Sequence, residues 1–492
     1  MNMNTLASFH WYAMTPEWII IGTALLLSAA DLFLGKKQKN WLIWGALLGI
    51  CAALVSLVLL FGTKSVTILN DSFVLDEFAK MFKLLLLIGT GIVLLLVFQE
   101  KGRGIRARGE YVYLLLTALL GAMMMSSSRD LITLFTGLEL LSISSYILAG
   151  LKKDDIKSNE SALKYLVSGG ISTAITLFGM SYLYGITGTT SLTDMFHILQ
   201  NLADAQSEYL MGIAFFLLFV GLSFKIASVP FQMWAPDVYE GAPIPVTAFL
   251  SVVSKTAGFI IILRIFLSIF TIVPQGKEEP VIFSMQAILA VIAAATMIIG
   301  NVTALKQTNV KRMLAYSSIS HAGYVLVAFV SFAQHFYFES IWFYLLAYLF
   351  MNLGAFSVLQ FVEKETGGLG LSSFSGLYKR SPVAAVAMTL FLLSLAGLPG
   401  TAGFIAKLGI FMSAFSAQVP MIMLASIMIA ATVISYVYYF GIFSQMFFKD
   451  AENQKRLSLN WPSLTILAIC SIAVVLLGLF PNAGLNLFYL IK

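Results

Sequence analysis

The sequence is short of the residues that soluble proteins use freely. Only 11% of its 492 residues are charged, while 59% are hydrophobic. That balance excludes an ordinary soluble domain, and no stretch is polar enough to form one. There are two cysteines, Cys51 and Cys470, both inside apolar runs. They fit no metal spacing and no disulfide framework, and read as small buried hydrophobes. The chain lacks CxxC, lacks a phosphate-binding GxxxxGK[ST] loop and lacks GxGxxG after a strand, so no haem, metal or nucleotide site is expected. A net charge of +6, dealt out among loops, is no nucleic-acid signal. The first apolar run starts near Glu17 without a basic leader or a clear small-residue cleavage site, and reads as a retained helix.

What the chain has in abundance is apolar runs of about 20 residues, the mark of a polytopic helical membrane protein. They predict an all-α fold of about 14 transmembrane helices: 17–35, 41–62, 75–99, 110–127, 130–151, 158–186, 208–234, 242–272, 281–304, 308–332, 337–363, 383–416, 419–448 and 462–490. One set of alternate loops carries nineteen basic residues, in groups that include Lys36, Lys101, Lys152, Lys306, Lys379 and Lys449. The other side carries four: Lys64, Arg129, Lys277 and Lys492. The positive-inside rule then places both termini on the outer side of a cell membrane. Anionic lipid and topology account for the basic loops GKKQKN and KGRGIRARG.

A few charges interrupt the apolar runs. Lys225, Lys255 and Lys407 lie deep, as does Glu139, and ionisable groups at such depth are functional candidates. Lys164 stands about two turns into its span. Lys80 and Lys83 are explained by local pairs with Asp76 and Glu77 or by snorkelling, Arg264 by snorkelling, and Asp31 by pairing with Lys36, Lys37 or Lys39. His321 sits in a polar patch with Tyr316, Ser317, Ser318 and Ser320 that can carry water. His10, His197 and His335 fall near outer ends and take no role.

Two spans look interrupted. Pro230 follows Lys225 by five residues, and Pro236, Pro243 and Pro245 continue the break towards Lys255. In GLPGTAGFIAK, Pro399 and Gly400 fall mid-span, eight and seven residues before Lys407. Broken helices in corresponding places point to an inverted repeat. The expected organisation is an N-terminal three-helix region (1–109), two inverted five-helix repeats (110–272 and 281–448), each with a broken helix, and a loop with a final helix (449–492). The first break falls on the cytoplasmic side, as the mouth of an inward half-channel. A Glu139–Lys225 ion pair would keep the lysine charged; weakening it would release a proton to the next group.

GLSFKIASVPFQMWAPDVYEGAPIPVTAFL (221–250), KQTNVKRMLAYSSISHAGY (306–324) and SLAGLPGTAGFIAKL (394–408) resemble the antiporter-like membrane subunits of respiratory complex I, the proton-translocating NADH–quinone oxidoreductase. The resemblance covers essentially the whole chain. PDVYEGAP resembles the N-type branch more than the L and M types, and no long amphipathic C-terminal extension of the L type follows. The resemblance implies proton transfer through Glu139, Lys225 and Lys255, with Lys407 as the terminal group towards the outside and Lys164 as an additional lysine. Gln232 stands where many relatives have histidine; water held by Gln232 would replace a protonatable step there. The resemblance also implies that NADH, FMN, iron–sulfur clusters and quinone bind to other subunits, none to this chain, and that its partners are the neighbouring membrane subunits, lipid, protons and water. Two other readings remain open: a subunit of a multisubunit cation/proton antiporter, and a non-pumping structural scaffold.

Overall fold

The structure is a computed structural model that describes residues 9–35, 39–99, 108–201, 205–273, 279–331, 337–417, 421–451 and 456–488. Lys36, Lys37, Lys101, Arg103, Arg106, Lys277, His335, Lys455 and Lys492 lie outside the described residues. Within them, thirteen helices are long and apolar enough to cross a bilayer. The first group is α1 (Thr15–Phe33), α2 (Asn40–Leu59), α3 (Glu77–Gln99), α4 (Arg108–Ser127), α5 (Leu131–Ala149) and α6 (Ile156–Thr187). A short amphipathic helix α7 (Leu192–Gln200) separates these from α8 (Ala205–Ile226), the short α9 (Trp234–Gly241) and α10 (Ile244–Phe270). The remainder is α11 (Val281–Ala304), α12 (Val310–Ser331), α13 (Tyr337–Thr366), α14 (Pro382–Ala396), α15 (Ala402–Phe415), α16 (Ile422–Phe448) and α17 (Trp461–Leu479). A small hairpin, Val66–Ile68 with Phe73–Leu75, lies between α2 and α3 and was not foreseen from the sequence.

The all-helical membrane architecture agrees with the apolar pattern. Both expected interruptions are present. The span expected over 208–234 stops at Ile226, because Pro230 has no N–H to return to the Ile226 carbonyl. Ala227 follows in the left-handed region at φ 55°, where a side chain costs about 1–2 kcal/mol. The span expected over 383–416 is two short helices, α14 and α15. Gly397 at φ 81° closes the first, and Gly400 at φ 86° turns the chain before the second. Glycine is suited to both positions because no Cβ clashes there.

Helices α10, α12 and α13 occupy the centre; α10 is wholly enclosed and the other two almost so. Helices α1, α2, α6, α11, α16 and α17 form much of the perimeter and present large apolar side chains such as Leu26, Leu48, Ile171, Val291, Val437 and Ile472 outward. In water that surface would be a liability; in a bilayer it is the solvated face. Cys51 belongs to it, whereas Cys470 is buried.

Two backbone clasps tie loops to helix starts. Leu131 N–H donates to the Thr190 carbonyl (2.9 Å) and Leu192 N–H to the Arg129 carbonyl (2.8 Å). Val310 N–H donates to Leu369 (2.9 Å) and Leu371 N–H to Thr308 (2.9 Å). Each residue of the second clasp lies 179 positions after its counterpart in the first, as Leu131 and Val310 show. The side chains repeat as well: Asp130 caps α5 by accepting from Thr133 N–H, and Asn309 caps α12 by accepting from Lys311 N–H.

Two expectations about charges are corrected. Arg264 does not snorkel. It is buried, grips both carboxylate oxygens of Asp76 at 2.6 and 2.7 Å, donates to the Ser126 carbonyl and lies over the Phe78 ring. Burial pushes the Asp76 carboxyl up, but the Arg264 guanidinium outweighs it and holds the group below the usual carboxylate range. This pairing stabilises the fold at any pH above the ordinary carboxylate range and is lost as pH falls through the lowered value. Arg264→Met is expected to cost about 2–3 kcal/mol, the worth of lost charge-assisted hydrogen bonds, read as a lower thermal midpoint of the solubilised protein at neutral pH. Lys83 likewise pairs with neither Asp76 nor Glu77. It meets Glu17 of α1 at 2.5 Å, with both side chains essentially inaccessible. Lys80 donates to the Thr63 carbonyl (2.6 Å). Only Asp31 keeps its expected partner, Lys39, at 2.8 Å.

Candidate functional site

Lys225 occupies the last turn of α8, immediately before the break. Its amine is enclosed by rings: Tyr146 at 5.6 Å, Tyr165 at 5.7 Å and Phe224 at 5.9 Å from Nζ to centroid. Trp234, the first residue of α9, stacks on Tyr165 at 4.6 Å and donates its indole N–H to the Phe224 carbonyl. The chain after the break thus folds back as the wall of the lysine chamber. Neither Lys225 Nζ nor Glu139 Oε1 has a hydrogen-bond partner, and the amine faces aromatic rings where the sequence led us to expect a direct ion pair with the carboxylate. Tyr146, two turns along α5 from Glu139, puts its ring against the amine instead. Gln232, in the break, is half-buried with Oε1 unpartnered, as is the Ser228 hydroxyl.

Lys255 follows a single π-helical turn, Leu250–Ser254, within α10. Such a turn shifts the side chains after it around the helix axis and is frequent at functional sites. The Lys255 amine is buried and donates to the Ser318 carbonyl (2.7 Å) and hydroxyl (2.9 Å) on α12. One turn along α12, His321 is held at both ring nitrogens: Nδ1 lies 2.6 Å from the Tyr344 hydroxyl and Nε2 3.3 Å from that of Tyr439. Tyr439 Oη also meets the Ser317 hydroxyl at 2.5 Å. Tyr348 and Tyr324 pack their rings on the imidazole at 5.0 and 5.5 Å.

Lys407 reaches back from α15 across the second break. Its amine donates to the Leu395 (2.9 Å) and Ala396 (3.0 Å) carbonyls and sits 4.9 Å from the Tyr324 ring centroid. Those carbonyls are the C-terminal end of α14, where the helix dipole favours a cation. Gly397 gives the lysine its path, since a Cβ there would lie 2.8 Å from Lys407 Cδ.

Of the predicted residues, Lys255, His321 and Lys407 are brought together around α12, with Lys225 and Glu139 on the side of the first break. Two others stand apart. Tyr316 is half-buried, and the bond at this residue is its backbone carbonyl accepting from Ser320. Lys164 is partly exposed and paired with Glu160 and Asp237, each at 2.6 Å. Its helix has 32 residues, about 48 Å at 1.5 Å per residue, against a hydrocarbon core of about 30 Å; two turns of α6 therefore do not reach the interior. Lys164 belongs to a charged network with Asp237, Glu240, Arg312 and Lys157 that joins α6, α9 and α12 around a cleft of about 110 Å³. Burial pushes the Asp237 carboxyl up, but hydrogen bonds from Lys164 and Arg312 hold it low; Lys157 and Arg312 do the same for Glu240.

The sequence reading missed the tyrosines: Tyr146 and Tyr165 around Lys225, and Tyr324, Tyr344, Tyr348 and Tyr439 around His321. One signal was available. Tyr344 and Tyr348 are four apart, hence on one face of their helix, with Asn352 a further four residues on.

Comparison with known proteins gives this arrangement its context. Residues 128–435 match the family model described as NADH:quinone oxidoreductase/Mrp antiporter, TM. The chain is 56% identical to NADH-quinone oxidoreductase subunit N of Geobacillus sp. (strain WCH70), over 98% of this chain and 99% of that protein. It is 52% identical to the subunit of the same name from Bacillus anthracis, over 99% and 97%. Among solved structures, a chain of respiratory complex I from Thermus thermophilus with bound aureothin superposes with a TM-score of 0.79 at 31% identity, covering 96% of this chain and 98% of that one. A chain of the Mrp complex from Dietzia sp. gives 0.83 at 20% identity, covering 98% and 96%, a likeness of fold alone. The chain therefore belongs to the antiporter-like membrane subunits shared by NADH–quinone oxidoreductases and Mrp antiporters, and within them to the subunit N type of complex I.

Proposed function

We propose that this subunit carries protons from the cytoplasm to the outside through Glu139, Lys225, Lys255, His321 and Lys407. The observation that carries the reading is the state of the three deep lysines. None is in contact with a carboxylate: Lys225 faces aromatic rings, Lys255 a serine, and Lys407 the end of a helix. A lysine kept only to hold helices together is expected to be paired, as Lys83 is with Glu17. An unpaired amine beside a broken helix is instead a group able to take up and release charge. Polar atoms without protein partners at the first break, from Ser228 and Gln232, are suited to hold water on its way to Lys225.

The two clasps at a constant spacing, together with the two broken helices, support the division into repeats 110–272 and 281–448. Lys164 and the Asp237–Glu240–Arg312 network would form the cytoplasmic rim of the inward half-channel. Each charge moved against 100 mV costs about 2.3 kcal/mol. Electron transfer from NADH to quinone, through FMN and iron–sulfur clusters in other subunits, would supply it, passed on through neighbouring membrane subunits.

Lys225→Ala is expected to reduce NADH-driven proton pumping severalfold in membrane vesicles, with the complex still assembled. Unchanged pumping by an assembled Lys225→Ala complex would remove Lys225 from the path.

A further inference from the structure

We infer that Tyr439 is the switching hydroxyl of a proton wire that joins the Lys255 side of the core to the Lys407 side; this rests on the proton-carrying reading above. The wire is Ser317 Oγ, Tyr439 Oη, His321 and Tyr344 Oη. Its contacts are 2.5 Å (Ser317 to Tyr439), 3.3 Å (Tyr439 to His321 Nε2) and 2.6 Å (His321 Nδ1 to Tyr344). All four side chains are buried, and they come from three helices, α12, α13 and α16.

The chemistry follows from hydrogen-bond capacity. A neutral imidazole has one N–H donor and one bare nitrogen acceptor, and a tyrosine hydroxyl donates one bond while accepting others. The same heavy atoms therefore support two complete arrangements. In the first, Ser317 O–H donates to Tyr439, Tyr439 O–H donates to Nε2, and Nδ1–H donates to Tyr344. In the second every bond is reversed: Tyr344 O–H donates to Nδ1, Nε2–H donates to Tyr439, and Tyr439 O–H donates to Ser317.

One proton passing through converts the first arrangement into the second. Ser317 takes up a proton and gives its own to Tyr439. Tyr439 gives its own to Nε2, Nδ1–H passes to Tyr344, and Tyr344 releases its proton onward. At each atom one O–H or N–H bond forms and one breaks, so one proton enters at Ser317, one leaves at Tyr344, and no electron moves. The donor is the Lys255 ammonium, bonded to the adjacent Ser318, and the acceptor is the amine of Lys407, with water completing the approach at each end. Tyr439 is the pivot because its oxygen touches both Ser317 and the ring. Without it, the serine has no partner leading to His321.

The test is Tyr439→Phe, which keeps the ring and deletes the hydroxyl, in the assembled complex in membrane vesicles. NADH-driven proton pumping is expected to fall at least about fivefold. The control is Tyr436→Phe, on the same helix, whose ring packs against the lipid-facing Phe440; pumping there should stay within about twofold of the parent. The solvent deuterium isotope effect on pumping should also change in Tyr439→Phe, which a packing defect would not cause. If Tyr439→Phe fails to assemble, Ser317→Ala decides by the same criteria. Pumping within about twofold of the parent in Tyr439→Phe overturns the wire, and so does an unchanged isotope effect. If Lys225→Ala and Lys407→Met abolish pumping while Tyr439→Phe does not, the wire falls and the proton-carrying reading stands. If neither lysine variant affects pumping, that reading falls first.

Discussion

Lys407→Met is expected to lower NADH-driven proton pumping at least about tenfold, equivalent to about 1.4 kcal/mol of added barrier, in a complex that still assembles. Methionine keeps the length and apolar bulk of the lysine stem, so packing against Tyr324 survives. What it loses is the ammonium at the carbonyl end of α14. The Leu395 and Ala396 carbonyls then have no partner from the side chain, and the helix end has no compensating charge. Lys407→Arg should not restore pumping: the guanidinium stays charged under all physiological conditions and is bulkier where Gly397 leaves room for a narrow stem. The measurement is proton pumping per NADH oxidised in vesicles. Pumping equal to the parent in Lys407→Met would reassign Lys407 to structure.

The second large effect concerns a pair with no part in the proposed path. Lys83→Met is expected to cost about 3–5 kcal/mol, because it strands the Glu17 carboxylate in an apolar interior. The double variant Glu17→Gln with Lys83→Met should recover most of that loss and lie within about 1 kcal/mol of the parent, since the buried charges are removed together. Thermal inactivation of the solubilised complex checks both. A single and a double variant equally destabilised would show that α1 docks on α3 through the ion pair itself and not through packing. Pumping per NADH should be unchanged in the double variant, which separates this pair from Lys225, Lys255 and Lys407.

The contrast between these two sites shows where the sequence was informative. Depth along an apolar run is a one-dimensional quantity, so Lys225, Lys255 and Lys407 could be picked out from sequence alone. The two breaks were legible for the same reason: Pro230 and the Pro399–Gly400 pair act on the backbone beside them. Partners between distant helices were not legible. Lys83 finds Glu17, and Arg264 finds Asp76, because of how helices are arranged around α10, which no local pattern encodes. The surroundings of Lys164 were not legible because its helix extends well beyond bilayer thickness. The π turn before Lys255 left no mark in a run of Leu, Ser and Val, and of the tyrosines around His321 only the pair Tyr344 and Tyr348, four apart, left one.

The paired clasps at Leu131–Thr190 and Val310–Leu369 have a mechanical consequence. With the crossings alternating as proposed, α5 and α12 would begin at opposite faces of the bundle, with one clasp at each. Each clasp cross-links the start of one helix to the loop after the next, just before a broken helix. The two breaks are tied differently, by Val229 N–H to the Thr296 hydroxyl and by the Lys407 amine to the Leu395 and Ala396 carbonyls. Motion at either break would therefore leave the helix pair before it, α5 with α6 or α12 with α13, held together at its clasp.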